Sequence, residues 1–320
     1  MRLDNPAIFG EVAVGPGDEL FLLSKRHETL NYVSGRKRAT QREIDDFHET
    51  LIRRRKHATG IGARYFHLVA PDKHAVYDAS FPIPIDYRLG AHYASCIPSD
   101  LLEYPVSRLQ SLLPERVYRK TDSHWSLLGS IAIAAFIAAR MGISEPIVAD
   151  GLREMREAMR TEKKEFSGDL GSKLEPNHRE PLQTLVADWE VEEAANVVPG
   201  NEGVFRIFKS SHSQAKGRMV IFGDSFSFQA LLPLSRYFHQ ILCCRTRNYH
   251  HEIVSMARPD FVLTQNVERY LSSPGNDKTA STFFLIPQLI GREISYSVPA
   301  AKALAEFLSF GNIGLGMERG

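Results

Sequence analysis

Apolar positions in the first quarter of the chain follow two different periods. Over residues 41–57 they recur at helical spacing, as Ile44, Phe47, Leu51 and Ile52. Residues 65–70 come after a glycine turn and form a continuous apolar run, which is typical of a buried strand, and Pro71 ends it. Helix, glycine turn and strand in this order predict a layered α/β domain.

Further elements of the same kind follow along the chain. Residues 127–141 are apolar on nearly all faces and predict a buried helix of about 15 residues, which is too short to span a membrane. Residues 147–161 predict an amphipathic helix. Apolar runs predict strands over residues 218–222, 240–244 and 261–264. We therefore expect an α/β fold, a three-layer α/β/α sandwich with a mostly parallel central sheet.

We predict one catalytic domain over residues 1–275 and a C-terminal extension over residues 276–320 that packs against it. Charged residues at the N-terminus and the lack of a long apolar segment there argue against a signal peptide. No apolar run reaches the length of about 18 residues that a membrane-spanning helix needs. On this ground the sequence alone predicts a cytoplasmic protein.

The composition excludes some classes of protein but does not indicate a function. Hydrophobic residues make up 43% and charged residues 24%, as in an ordinary globular protein. The formal net charge of +1 gives no strong field, so we expect no nucleic-acid partner. We interpret the basic cluster over residues 53–56 as a solvated helix face. Three cysteines, an odd number, argue against a disulfide framework.

Candidate chemistry begins where the apolar run 218–222 stops at Gly223-Asp224-Ser225 and a potentially helical segment follows. This places the Ser225 hydroxyl at a strand-to-helix corner, beside backbone N–H groups that lack helical partners. A hydroxyl there can act as a nucleophile, and the free N–H groups can hold an oxyanion. We interpret Asp224 as a carboxylate that fixes this loop by accepting backbone hydrogen bonds.

A serine needs a base within hydrogen-bond reach, and the base needs an orienting partner. The segment Thr121-Asp122-Ser123-His124-Trp125 offers a carboxylate and an imidazole two positions apart. In a loop this spacing lets the two groups converge, as in a serine triad. We expect Trp125 to line the imidazole ring and Ser126 to cap the following helix. Ser225, His124 and Asp122 are therefore the predicted nucleophile, base and orienting acid.

Thr-Asp-x-His-Trp well ahead of Gly-Asp-Ser-Phe resembles the SGNH-hydrolase-like domain of the alginate O-acetyltransferases, the AlgX and AlgJ group. The resemblance covers roughly residues 15–275, with shorter supporting pieces at Pro71-Asp72-Lys73 and Gly168-Asp169-Leu170. It implies a fold that is circularly permuted relative to ordinary SGNH esterases, in which the serine comes first. It implies acetyl transfer to a polysaccharide or other carbohydrate, or acetylesterase activity, without a cofactor or a metal.

The same resemblance implies an acetyl donor supplied through a membrane-bound partner protein, and a periplasmic location if a leader has been removed. It also implies oxyanion donors from loops after neighbouring strands, where this chain lacks a clear Gly-x-Asn-Asp. The resulting oxyanion or substrate candidates are Gly223, Asp224, Arg247, Asn248, Asn266, Arg269 and Trp125. Structural alternatives stand beside three residues: a strand-end amide for Asn266, an ion pair with Glu268 for Arg269, and a surface position for Lys73.

Two other functions stay open at this point. Asp122-x-His124 followed by Gly223-Asp224 could supply the ligands of a metallophosphoesterase. Against it, a helix follows the Asp-x-His segment, and Ser227 stands where that family needs a second aspartate. The chain could also be an inactive carbohydrate-binding homologue that retains the fold, because fold alone does not prove chemistry.

Overall fold

The computed structural model describes residues 7–308 of the 320-residue chain. Its strands are β1 (Ala7–Phe9), β2 (Val12–Gly15), β3 (Glu19–Leu22), β4 (Arg64–Ala70), β5 (Leu102–Glu103), β6 (Met159–Phe166), β7 (Glu180–Leu185), β8 (Val191–Ala195), β9 (Phe205–Ser210), β10 (Arg218–Gly223), β11 (Gln240–Arg245) and β12 (Phe261–Val267).

The helices of the described part are α1 (Thr29–Val33), α2 (Gln41–Gly60), α3 (Lys73–Val76), α4 (Leu89–Cys96), α5 (Val106–Gln110), α6 (Leu127–Arg140), α7 (Glu145–Glu157), α8 (Ser225–Leu234), α9 (His251–Ala257), α10 (Ile286–Leu289) and α11 (Val298–Leu308). Short 3-10 turns lie at Pro16–Asp18, Gly171–Lys173, Glu268–Ser272 and Phe283–Leu285. No described helix combines the length and the apolar character needed to cross a bilayer.

The central sheet has seven strands in the order β5-β4-β12-β10-β11-β9-β8. The first five strands in this order are parallel, and β9 and β8 complete the sheet by antiparallel pairing. Successive residues of β10 face opposite sides, as the pleat requires: Val220 belongs to one buried cluster and Ile221 to another. Because helices cover both faces, the predicted three-layer sandwich with a mostly parallel sheet is confirmed.

Helices close each face of the sheet, and two of them, α2 and α6, are helices that the apolar pattern predicts. Ile131 on α6 and Leu231 on α8 pack on one face. Phe47 and Leu51 on α2 pack on the other face, together with Ile253 on α9. The fully apolar character of α6 follows from its burial, since most of its residues contact the core rather than solvent.

Strand order reverses direction at β10. The chain leaves β10 through α8 and pairs β11 on one side, then passes through α9 and pairs β12 on the other side of β10. At such a reversal the connections diverge and leave a crevice at the carboxyl ends of the strands, where open α/β sheets bind ligands. Ser225 is the first residue of α8 and therefore lies at this crevice.

One helix prediction is wrong at its C-terminal end. The helix expected over residues 147–161 is α7, which ends at Glu157, and the chain continues as β6 in an antiparallel ribbon with β7. Residues along β6 are exposed on both faces, so the strand carries no alternation of apolar and polar side chains. Without a buried face, the period that identifies a strand is absent from the sequence.

The basic cluster over residues 53–56 was predicted to be a solvated helix face, and this prediction is wrong for Arg54. Its side chain is 1% exposed, and its guanidinium bonds both carboxylate oxygens of Asp277 at 2.7 and 2.8 Å. Phe283 and Phe307 are buried in the cluster that contains Phe47. The predicted domain boundary after residue 275 stays a prediction.

Candidate active site

The corner between β10 and α8 is held by Asp224. Its side chain caps α8 by accepting from the Phe226 N–H at 2.9 Å, and it accepts from the Val267 N–H at the end of β12 at 2.7 Å. This is the loop-fixing role expected from the sequence. The Ser225 N–H lies in the first turn of α8, where backbone N–H groups have no intrahelical acceptor.

Gly223 is required at this corner by close packing. A Cβ at this position would lie 2.1 Å from Ser227 Oγ and 2.9 Å from Gln265 Oε1. That same Gln265 oxygen accepts from the Asp224 N–H at 3.1 Å and from the Ser227 hydroxyl at 2.6 Å. The tight corner between strands β10 and β12 therefore depends on glycine and on a buried glutamine that sequence reasoning did not identify.

The structure brings the two sequence motifs, 101 positions apart, into direct contact. His124 Nε2 lies 2.7 Å from Ser225 Oγ, and His124 Nδ1 lies 2.7 Å from Asp122 Oδ1. The same Asp122 oxygen accepts from the His124 backbone N–H at 2.8 Å. An Nδ1–H bonded to the carboxylate leaves the Nε2 lone pair directed at the serine hydroxyl, which is the arrangement of a general base.

Asp122 is 6% exposed, and burial by itself would raise its pKa. The hydrogen bonds from His124 and the attraction of its imidazolium outweigh burial, and they hold the pKa of Asp122 well below its usual range. The carboxylate is therefore ionised throughout the neutral range. An ionised carboxylate at this place fixes the tautomer of His124 and stabilises the imidazolium when a proton arrives.

Asp169 supports Asp122 from the loop between β6 and β7. Its backbone N–H donates to Asp122 Oδ2 at 3.3 Å, and its carboxylate accepts from the Ser123 N–H and hydroxyl, each at 2.7 Å. Gly168 permits this approach, since a Cβ there would lie 2.4 Å from the Thr121 carbonyl oxygen. The Gly168-Asp169-Leu170 piece noted in the sequence thus contacts the predicted triad.

Phe226, rather than Trp125, lines the imidazole ring. The Phe226 and His124 ring centroids are 4.8 Å apart, and Trp125 packs edge-on against Phe226 with a centroid distance of 5.0 Å. Trp125 is 1% exposed and donates from Nε1 to the Tyr118 hydroxyl at 3.0 Å. The expected direct contact of Trp125 is therefore indirect. Ser126 caps α6 as predicted, accepting from the Gly129 N–H.

An open cleft adjoins the corner that carries Ser225. Three of its side chains are basic, from Arg26, Arg245 and Arg247, and Tyr270 forms part of its wall. Its remaining lining residues are His27, Asn201, Glu202, Gly223, Asp224 and Thr246. Of the predicted substrate candidates, Gly223, Asp224 and Arg247 line this cleft.

The two asparagine candidates lie outside this cleft. Asn266 is buried, and its Nδ2 donates to the Val267 carbonyl at 3.0 Å. The side-chain oxygen of Asn248 is buried near Gly275 and has no hydrogen-bond partner among the described residues. Neither side chain is among those that line the cleft, so neither joins the basic groups found there.

Two expectations about charged residues are wrong. Arg269 forms its ion pair with Asp72, not with Glu268, whose carboxylate accepts from the Gly90 N–H and the Tyr104 hydroxyl. Lys73 is not a surface residue: it is 3% exposed and contacts Glu19 Oε1 at 2.6 Å. Both pairs join segments that are far apart in the sequence, which local patterns do not reveal.

The ligand set of a metallophosphoesterase does not assemble. That alternative needs Asp224 beside Asp122 and His124, but the Asp224 carboxylate is bonded to two backbone N–H groups instead. Within residues 7–308, the groups with metal-ligand spacing are Asp122, His124 and Asp169. Each already has a hydrogen-bond partner, since Asp122 bonds His124 and Asp169 bonds Ser123.

A serine at the corner after a switch-point strand, facing a histidine–aspartate pair, is typical of α/β proteins that use a serine nucleophile. Residues 13–285 match the family described as ALGX, the SGNH hydrolase-like domain of acetyltransferase AlgX. The chain belongs to this family, and the predicted resemblance is confirmed. It is accordingly an SGNH-type acetyltransferase, with its histidine and aspartate ahead of its serine in the chain.

Solved structures support the fold. A DHHW family protein from Eubacterium siraeum aligns with a TM-score of 0.60 at 13% identity, covering 86% of this chain and 95% of that chain. Bacillus cereus PatB1 aligns at 0.54 and 13%, covering 86% and 99%. The O-acetyltransferase domain of Pseudomonas putida AlgJ aligns at 0.51 and 16%, covering 94% and 100%. The comparison with curated proteins gave no match.

Proposed function

We propose that Ser225, His124 and Asp122 carry out acetyl transfer through a serine ester. His124 Nε2 removes the Ser225 proton, Ser225 Oγ attacks the acetyl carbonyl, and the leaving group takes that proton from the imidazolium. An acceptor hydroxyl then loses its proton to His124 and attacks the acetyl-serine, and the imidazolium returns that proton to the departing Ser225 Oγ, which regenerates the free enzyme. Asp122 keeps the imidazole in the required tautomer throughout.

A single observation supports this proposal most strongly: one imidazole contacts the serine and the carboxylate at the same time. Both contacts are 2.7 Å long, within the range for proton transfer between heavy atoms. The same contacts disfavour the inactive carbohydrate-binding alternative, because a binding protein has no need of this proton path.

The Ser225 N–H is our candidate oxyanion donor. As the first residue of α8 it projects its N–H from the helix N-terminus, where the helix dipole favours negative charge. Asp224 leaves this N–H available, since its carboxylate is bonded to the N–H groups of Phe226 and Val267. The side-chain oxyanion donors expected from Asn248 and Asn266 are not part of the proposal.

For the acceptor we propose a polysaccharide whose sugars carry carboxylates. Family membership supports the polysaccharide, and the cleft supports the charge, because Arg26, Arg245 and Arg247 line it. Within residues 7–308, none of these three guanidinium groups has a carboxylate partner closer than 4.0 Å. Guanidinium groups bind carboxylates through paired, charge-assisted hydrogen bonds.

The charge of the acceptor can be tested with Arg245→Gln. We expect roughly a tenfold higher KM for a carboxylated oligosaccharide, and a smaller change for a neutral oligosaccharide of the same length, because one charge-assisted contact is lost. Arg206→Gln is the matched control. Arg245 and Arg206 both stack on the ring of Phe228. Arg206, however, pairs with Glu193 and does not line the cleft. Equal effects of Arg245→Gln on both acceptors would contradict the proposal.

Transfer and hydrolysis are separated by product analysis. An activated acetyl ester is supplied with and without an oligosaccharide acceptor, to the wild-type protein and to Ser225→Ala. We expect acetylated oligosaccharide with the wild type, and no turnover above background with Ser225→Ala at unchanged circular dichroism. Release of acetate alone, whatever the acceptor, would leave an esterase, and full activity in Ser225→Ala would remove Ser225 from the mechanism.

The last part of the proposal concerns the source of the acetyl groups. From the resemblance to the alginate O-acetyltransferases, we propose delivery through a membrane-bound donor protein, with this domain on the periplasmic side of a membrane. Co-purification of the domain with a membrane protein that transfers acetyl groups to it would support this, and unchanged acetylation of the polysaccharide in cells that lack that membrane protein would contradict it.

A further inference from the structure

Lys73 lies behind the predicted triad, at the start of α3, with its ammonium enclosed by oxygen atoms. Nζ contacts Glu19 Oε1 at 2.6 Å, the Leu20 carbonyl at 2.8 Å, the Arg119 carbonyl at 2.6 Å and the Lys120 carbonyl at 3.0 Å. Burial lowers the pKa of Lys73, and the charge of Glu19 opposes that shift. An ammonium has three N–H donors, so these acceptors share them.

Apart from that of Leu20 in β3, the carbonyls that Lys73 contacts belong to the loop that carries the triad acid. This loop has no helix or strand of its own between Arg119 and His124. The carbonyl of Asp122 itself lies 3.4 Å from Lys73 Nζ. Backbone contacts on both sides of Thr121 therefore converge on one buried ammonium.

The backbone N–H groups of the same loop are bound by a carboxylate, that of Glu180. Glu180 accepts from the Lys120 N–H at 3.0 Å and from the Thr121 N–H at 2.7 Å. It also accepts from the Thr121 hydroxyl at 2.7 Å. A cation on the carbonyl side and an anion on the N–H side together restrict the path of the chain into Asp122.

We propose that Lys73 is a positioning residue for acetyl transfer: its ammonium fixes the loop at residues 119–122 and thereby keeps Asp122 in register with His124. The inference rests on the proposed roles of Asp122 and His124. Displacement of catalytic groups by about 1 Å is enough to slow a reaction roughly 100-fold, so a tether of this kind bears directly on rate.

A different explanation is that Lys73 only neutralises buried Glu19. Glu19 has a second partner, because Arg116 contacts its other oxygen at 2.8 Å. The two explanations predict different behaviour when the charge on Glu19 is removed. If Lys73 acts on Glu19 alone, then loss of both charges should restore activity; if it acts on the loop, activity should stay low.

The test compares Lys73→Met, Glu19→Gln and the double variant. Glu19→Gln keeps the ammonium on the loop carbonyls, whereas the double variant removes the ammonium without leaving an unbalanced buried carboxylate. Arg236→Met is the control for loss of a buried cation, because Arg236 pairs with Glu154 away from this loop. Readouts are kcat and KM for an acetyl ester, the melting temperature, and the low-field proton resonance of the His124–Asp122 hydrogen bond.

We expect the double variant to melt close to Glu19→Gln, with kcat roughly 10- to 100-fold lower, little change in KM, and a shifted or broadened imidazole resonance. Arg236→Met should lose stability with its imidazole resonance unmoved. Equal kcat in the double variant and Glu19→Gln would overturn the proposal. Failure of the double variant to fold would overturn it as well, since Lys73 would then support the fold. Ser225→Ala, measured in parallel, tests the triad separately: if it is active, the proposed function fails first.

Discussion

At the scale of single residues, buried charge in this site is stabilised by specific partners. Asp122 stays ionised despite burial, because His124 donates to it from both the backbone and the ring. Arg269 is likewise buried and is balanced by Asp72. Charged groups with such partners keep fixed positions, which a reaction with developing charge requires.

His27, in the cleft wall, illustrates the opposite case. Burial, followed by the charges of Arg269 and Arg26, lowers its pKa from 6.5 to about 4. The neutral ring is therefore the folded-state form at neutral pH. Because the unfolded chain takes up a proton near pH 6.5 and the folded chain does not, the stability contributed by neutral His27 is full above that pH and is lost as the pH falls towards about 4.

We predict that His27→Asn makes stability less dependent on pH in this window. The wild type should lose about 1 to 3 kcal/mol more than the variant between about pH 7 and about pH 4.5, since only the wild type carries this proton linkage. The measurement is the free energy of unfolding in urea at both pH values. Parallel pH dependence in the two proteins would show that His27 titrates normally in the folded state.

Residue identity alone revealed some of these roles and not others. The triad residues Ser225, His124 and Asp122 were identifiable because they lie in two short sequence motifs. Lys73 and Phe226 were not, because the role of each depends on what it contacts in the fold. The same holds for Arg247, which reaches the cleft, and for Asn248 and Asn266, which do not: all three are polar residues at or just beyond strand ends, and only packing separates them.

At the scale of elements, the site depends on close approach between loops. Thr121 and Asp122 pass directly over Gly168 in the loop between β6 and β7. A Cβ at residue 168 would lie 2.4 Å from the Thr121 carbonyl oxygen and 2.5 Å from the Asp122 Cβ, distances that real structures do not show. The loop with the triad acid is thus packed on a glycine of a different element.

We predict that Gly168→Ala lowers kcat roughly tenfold and destabilises the fold by about 1 to 3 kcal/mol, because Asp122 must move away from the added methyl group. Gly60→Ala is the matched control, since a Cβ at residue 60 has open space around it. It should leave kcat unchanged and stability equal or slightly higher, as alanine favours the helix. The measurements are steady-state kinetics and thermal melting. Equal kcat in the two variants would show that a Cβ at residue 168 does not displace Asp122.

Elements with a buried face were predictable, and elements without one were not. The apolar pattern of the sequence predicts the central strands β4, β10, β11 and β12 and the helices α2 and α6. The ribbon of β6 and β7 is stabilised by backbone pairing between exposed, mostly polar strands. Strand β7 lies about 20 residues after β6 in the chain, and backbone pairing between two exposed strands leaves no hydrophobic pattern in the sequence.

At the scale of the whole molecule, the order of the chain and the geometry of the site are independent. The acid and the base precede the nucleophile by a hundred positions, yet they meet at the carboxyl end of β10 because the strand order reverses there. Permutation moves the chain ends without changing which strand ends face the crevice. Fold class was therefore predictable from element order, whereas the basic cleft required the assembled sheet.

The most direct test of the whole account is to trap the acetyl-enzyme. Wild-type protein is mixed with an activated acetyl ester, quenched in acid, and analysed by intact mass and peptide mapping, with Ser225→Ala and Asp122→Asn alongside. We predict one acetyl group on Ser225 in the wild type, none in Ser225→Ala, and much slower formation in Asp122→Asn. Acetylation at another residue, or product formation at full rate by Ser225→Ala, would contradict the account.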